Sequence, residues 1–213
     1  MTKVTERGMI FNGEMVRAIL EDRKTQTRRI IQSAAKNMQA RGHEVITHRA
    51  PGDKWYGDHV YSMRDRSGVW QDFTNEEFLA KCPFGQTGDR IWVRETFSAV
   101  PDHDEPVGCS ALLYAADGDG PYGKWTPSIH MPRWASRILL EITDVRIERL
   151  NSISEEDAKV EGAPTECCVI GDKHFLGFRS LWKSIYGDDS WQANPWVWVI
   201  EFKRIEGDDH ATD

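Results

Sequence analysis

The alternation of apolar and polar positions divides the chain into a few short helices and several strands. Met15, Val16, Ile19 and Leu20 recur at helical spacing behind Asn12, a good N-cap, so a helix is expected over roughly 13–22. "VYSMRDRSGVWQDF" reads as a hairpin with its turn at Asp65 to Gly68. In "FGQTGDRIWVRETF" a glycine-rich turn leads into a strand with Ile91, Val93 and Glu95 on one face and Trp92 and Arg94 on the other. "CSALLYAAD" reads as another strand, "GDGPYG" as a turn, and "RILLEITDVRIERL" as a long strand broken near Asp144. Ser154 and Asp157 spell a capping box for a short helix that Gly162 ends. Phe175, Phe178, Leu181, Trp182 and Ile185 form the stripe of an amphipathic helix stopping at Gly187. The closing "NPWVWVIEF" is apolar on both faces, as a central strand is. Residues 32–60 and "KWTPSIHMPRWAS" follow neither period, and read as loop and as a shaped loop.

Long strands with few helices predict an α+β fold on a curled sheet. Regular βα alternation, a GxGxxG turn and a P-loop are absent from the sequence. The 213 residues fit a single domain over 1–205, with a variable insertion at about 34–87 and an acidic tail over 206–213. The net charge of −7 argues against a duplex-binding protein coated in basic residues. It leaves room for a local basic site, since residues 1–33 carry seven Lys or Arg against four acids. Cys82, Cys109, Cys167 and Cys168 form no CxxC, and the adjacent pair with His174 suits zinc poorly, so neither a disulfide framework nor a metal or other cofactor is expected. With no membrane-length apolar run and no signal-peptide core, the expectation is a reduced, cytoplasmic protein.

Two places concentrate chemistry. In "EDRKTQTRRI", Lys24 shares a face with Thr27 and Arg28 if the turn is helical. That is either a solvated helix end whose cations suit the dipole, or a cationic pocket holding a hydroxyl. Glu95 lies on the inward line of Ile91 and Val93, so it is either ion-paired with an arginine or an acid or base in a cleft. A lysine, a threonine and a glutamate would suffice for amide hydrolysis. The loop holding Trp125, Ser128, His130, Arg133, Trp134 and Arg137 sets rings beside cationic forks, which suits unstacked bases and phosphates or simply locks the loop. His130 could serve as an acid or base for RNA cleavage. Tyr114 reads as core or cleft wall, and Trp182, Trp196 and Trp198 as core.

Two motifs carry a resemblance. "DRKTQTRR" over 22–29 is similar to the G-x-K-x-x-[TE]-x-R signature of the ASCH family, in the PUA-like superfamily, with Asp22 in place of the glycine. "GDRIWVRE" over 88–95 is similar to its G-D-x-[IL]-x-V-[RK]-E strand. Nearly the whole chain resembles the larger phage and prophage members. The resemblance implies a small PUA-like β-barrel with flanking helices and long insertions, and a partner that is single-stranded RNA or a modified nucleoside. It maps the working residues of N4-acetylcytidine amidohydrolases onto Lys24, Thr27 and Glu95. Arg28, Arg29, Arg94, Tyr114, Trp125, Ser128, His130, Arg133 and Arg137 would then contact substrate. The alternatives are a ribonuclease for single-stranded RNA and a non-catalytic module that binds RNA or serves phage regulation or assembly.

Overall fold

The computed structural model describes residues 4–32, 46–53, 55, 57–100, 112–118, 120–121, 123–165 and 173–205. Cys109, Cys167, Cys168, residues 34–45, 54 and 56 of the 34–87 insertion, and the acidic tail lie outside the described residues.

The chain runs β1 (Glu6–Ile10), α1 (Gly13–Leu20), β2 (Gln26–Ile30), β3 (Ile46–His48), β4 (His59–Arg64), β5 (Trp70–Thr74), α2 (Asn75–Leu79), β6 (Arg90–Arg94), β7 (Phe97–Ala99), β8 (Leu112–Tyr114), β9 (Leu139–Arg149), α3 (Glu155–Val160), α4 (Lys173–Tyr186), α5 (Asp188–Gln192) and β10 (Trp196–Ile205). Five strands form one mixed sheet in the order β1-β6-β9-β10-β2, with β1 and β6 parallel and the other neighbours antiparallel. β3, β4 and β5 form a second sheet, and β7 pairs with β8.

β10 explains the layering. Trp198 and Ile200 enter a core with Val16 and Ile19 of α1, Tyr61 of β4 and Phe78 of α2. Val197 and Val199 enter a second core with Ala158 of α3, Phe178 and Trp182 of α4, and Trp191 of α5. The doubly apolar reading of "NPWVWVIEF" thus corresponds to a strand between two others, buried on both faces. Local signals hold at several ends. Asn12 Oδ1 accepts from the Met15 amide (2.8 Å), and the Ser154–Asp157 box caps α3. The break near Asp144 is a bulge: Glu201 pairs with Asp144 and Phe202 with Ile142, leaving Thr143 as the extra residue.

The expected β-barrel is not formed: among the described residues no sheet closes into one. β1 and β2 remain the two edges of the five-stranded sheet. α1, α2 and the β4–β5 hairpin cover the apolar face, so the sheet need not curl onto itself to bury it. The side chain of Arg29 crosses between the edges, donating to the Ile10 carbonyl (2.7 Å) with its Cζ 5.2 Å from the Phe11 ring centroid. The fold is α+β with an open central sheet.

Candidate functional site

The "EDRKTQTRRI" stretch leaves the helix earlier than the spacing predicts. α1 ends at Leu20, Asp22 turns the chain at φ 54°, and β2 begins at Gln26. The period is therefore that of a strand, and Lys24 and Thr27 do not share a face. Lys24, Gln26 and Arg28 face α3, whereas Thr27 and Arg29 lie opposite Ile200 and Trp198 on the face of α1.

Lys24 is sealed, with none of its side chain exposed. Its ammonium donates to Glu161 Oε2 (2.7 Å), the Glu161 carbonyl (2.8 Å) and the Gln26 carbonyl (2.7 Å). Those bonds use all its N–H donors. Burial lowers its pKa, and the Glu161 carboxylate beside it opposes that shift. Arg28, also fully enclosed, donates to Glu161 Oε1 (3.2 Å) and Glu148 Oε2 (2.9 Å). Arg146 extends the network to Glu148, Glu201 and Asp157. These alternating charges clamp α3 to the central sheet. Thr27 is 1% exposed.

Glu95 belongs to a different cluster. Its carboxylate, 2% exposed, is gripped by Arg137 through Nε–Oε1 (3.0 Å) and an η-nitrogen to Oε2 (3.1 Å). The same guanidinium forks onto Asp117 (2.8 Å to each oxygen) and lies 3.9 Å from the Tyr114 ring centroid. Burial pushes the Glu95 carboxyl above its ordinary range, with Arg137 pulling the other way. Burial disfavours the Arg137 charge, yet Glu95 and Asp117 raise its pKa overall. Tyr114 is buried and donates through its hydroxyl to the Ala135 carbonyl (3.0 Å). Lys24 and Glu95 are thus each closed onto other partners, and no bond joins them among the described residues.

The loop over 125–137 folds into two single turns of 3-10 helix, Ser128–His130 and Arg133–Ala135. Trp125 and Ser128 are half-buried, and His130 is exposed. The loop lies against the outer side of β1 and β6. Arg133 Nε donates to Glu6 (2.9 Å), and Arg94 donates to the Ile129 carbonyl while its Cζ stands 5.4 Å from the Trp92 ring centroid. Gly8 makes room for this packing, since a Cβ there would meet Trp92 at 2.6 Å and Arg94 at 2.9 Å. Arg90 and Arg133 share the Glu6 carboxylate, Arg94 meets Ile129, and Ile129 is 59% and Trp134, next to Arg133 in the chain, 62% exposed. Arg29 stands elsewhere, on the wall of a 360 Å³ cleft shared with Lys81 and Trp198.

Lys81, Asp117 and Glu161 are the participants that motif reading does not nominate. The signal for Lys81 is the Thr74–Glu77 capping box, which places α2 just ahead of it. Among the described residues no group of three or more His, Cys, Asp and Glu could hold a metal ion, and no helix is long and apolar enough to cross a membrane.

No protein-family model matches the sequence, and no curated protein matches it. Among solved structures, similarity is weak and partial. The ASCH domain from Lactobacillus crispatus JV V101 aligns with a TM-score of 0.41 at 11% identity, over 94% of this chain and 79% of that one. Protein EF3133 from Enterococcus faecalis V583, of family DUF984, aligns with a TM-score of 0.38 at 10% identity, over 100% of this chain and 87% of that one. The chain has a weak, partial structural likeness to ASCH and DUF984 folds.

Proposed function

We propose that this chain binds single-stranded RNA as a non-catalytic module. The observation that carries the reading is the outer face of β1 and β6, where Arg94 sits against Trp92 and Ile129, Arg90 and Arg133 share Glu6, and the exposed Trp134 follows Arg133 in the same 3-10 turn. An exposed indole, Trp134, and a half-buried one, Trp92, with guanidinium groups nearby suit unstacked bases and a phosphate backbone, and a duplex offers no such bases. The ASCH-like motifs "DRKTQTRR" and "GDRIWVRE" agree with an RNA partner. Binding is favoured over amide hydrolysis because Lys24 has no donor or lone pair to spare and Glu95 is forked by Arg137.

Fluorescence anisotropy with a labelled RNA octamer and its duplex tests this. The single strand should bind more tightly, and affinity should fall as salt rises. Trp134→Ala removes an exposed ring without opening the core and should weaken binding about tenfold, given that a stacked base contributes about 1–3 kcal/mol. N4-acetylcytidine incubated with the protein should remain intact. Equal affinity for strand and duplex, or an unaltered Trp134→Ala, would refute the assignment.

A further inference from the structure

The cleft beside β2 shares no residue with the face just described. Its 360 Å³ lies within the roughly 300–1,000 Å³ typical of small-ligand sites. Arg29 and Lys81 supply positive charge, and Met63, Phe84, Tyr186 and Trp198 supply apolar and aromatic walls. No Asp or Glu lines it among the described residues, although the chain carries a net charge of −7. Among the described residues this pair of cations is a local departure from the charge of the whole molecule.

The two cations are held in place differently. Arg29 is positioned by the pairing of β2 with β10, opposite Trp198, and by its bond to the Ile10 carbonyl (2.7 Å). Lys81 follows α2 at the surface, with Nζ 4.4 Å from the Phe73 ring centroid. Between them the pocket offers a fixed fork and a mobile point charge, the pairing that suits a phosphate. Gln32 at the rim adds an amide able both to donate to and to accept from a base edge.

We infer that this cleft binds a nucleoside monophosphate group, with phosphate at Arg29 and Lys81 and the base against Phe84, Met63 and Trp198. The inference goes beyond the RNA-binding face and stands or falls separately from it. The group can arrive as a free nucleotide or as the phosphorylated end of an RNA strand.

Calorimetric titration with AMP and CMP, cytidine, inorganic phosphate, and an octamer with or without a 5′-phosphate tests the assignment. A mononucleotide should saturate one site, with cytidine and inorganic phosphate each at least about tenfold weaker, because each lacks one half of the recognition. Lys81→Glu, at an exposed position, should weaken the mononucleotide by about tenfold or more while the melting temperature holds. Tighter binding of the 5′-phosphorylated octamer identifies the strand end as the source, and a response to mononucleotides alone identifies the free nucleotide. Trp134→Ala should leave mononucleotide binding unchanged, so a parent chain that binds CMP but shows no preference for single-stranded RNA over duplex removes only the earlier reading. The inference is overturned if neither mononucleotide binds, if inorganic phosphate binds as tightly as CMP, or if Lys81→Glu binds CMP like the parent.

Discussion

At Glu95 burial and ion pairing act against each other. Burial favours the neutral acid, Arg137 favours the carboxylate, and Asp117 across the guanidinium favours the acid again, with a net upward shift from the ordinary value of 4.5. The folded chain therefore holds this proton more tightly than the unfolded chain does. The resulting stability is fully present below 4.5 and is lost as pH rises through the raised value. Comparing Glu95→Gln with the parent isolates this group. The melting temperature of the parent minus that of the variant should decline as pH climbs from 4.5 toward neutrality. A difference that stays flat or grows with pH would show that the Arg137 fork outweighs burial. Asp22 carries a lesson at the same scale. The ASCH-like signature has glycine there, yet Asp22 takes φ 54°, the left-handed conformation that glycine enters freely and aspartate tolerates better than most residues. The substitution keeps the turn, and only backbone coordinates reveal that it does.

Helix α4 is pressed against the segment that precedes it more closely than any side chain would permit. A Cβ on Gly177 would fall 1.7 Å from the Pro164 carbonyl oxygen, a backbone atom that cannot rotate away. Gly177→Ala gains about 1 kcal/mol of helix propensity. The displacement of α4 should outweigh this, since overpacking costs about 1–3 kcal/mol and occasionally more. With the contact at a backbone atom the cost sits at the upper end, a net loss of up to about 2 kcal/mol, so a fall in melting temperature of up to about 4–8 °C is expected, and an unchanged or raised value would show that α4 shifts freely. Elements with strong local signals were legible in the sequence: α1 with its Asn12 cap, α3 with its Ser154 box, α4, β9 and β10. β1 was not, because the apolar alternation breaks at Gly8, where the Trp92 ring needs the space. β2 reads in the sequence as a helix end or the turn after it, because Lys24 and Thr27 fit a helical interval that Asp22 has already ended. The site suffered from the same error. A strand period sends Lys24 to the α3 face and Thr27 to the other, and Glu161, which neutralises Lys24, is 137 residues away in the chain. The arginine partner weighed for Glu95 is present as Arg137, but nothing local selected that arginine from its neighbours.

For the molecule as a whole, the open sheet raises the question of what keeps its two edges in register. Among the described residues β1 reaches the sheet through parallel pairing with β6 alone, and β2 through β10 alone. Each edge is thus secured on one side, and exposed edges are prone to fraying and mispairing. Arg29 is the side chain that spans them, bonding the Ile10 carbonyl from β2 while its guanidinium lies near the Phe11 ring. Arg28, next to it, points the opposite way into the charge network beneath α3, so β2 is tied to both layers by consecutive residues. Arg29→Met retains much of the apolar stem but loses the bond and the charge. A hydrogen bond from a charged group contributes about 1.5–3 kcal/mol, so the variant should be less stable by about that amount at most. The loss should also be local. Hydrogen exchange should accelerate in Glu6–Ile10 and at Phe11, while β9 and the centre of β10, paired on both sides, keep their protection. Uniform acceleration across all five strands would mean that Arg29 supports global stability and not the seam. Unchanged exchange in β1 would mean that its pairing with β6 suffices to hold the edge.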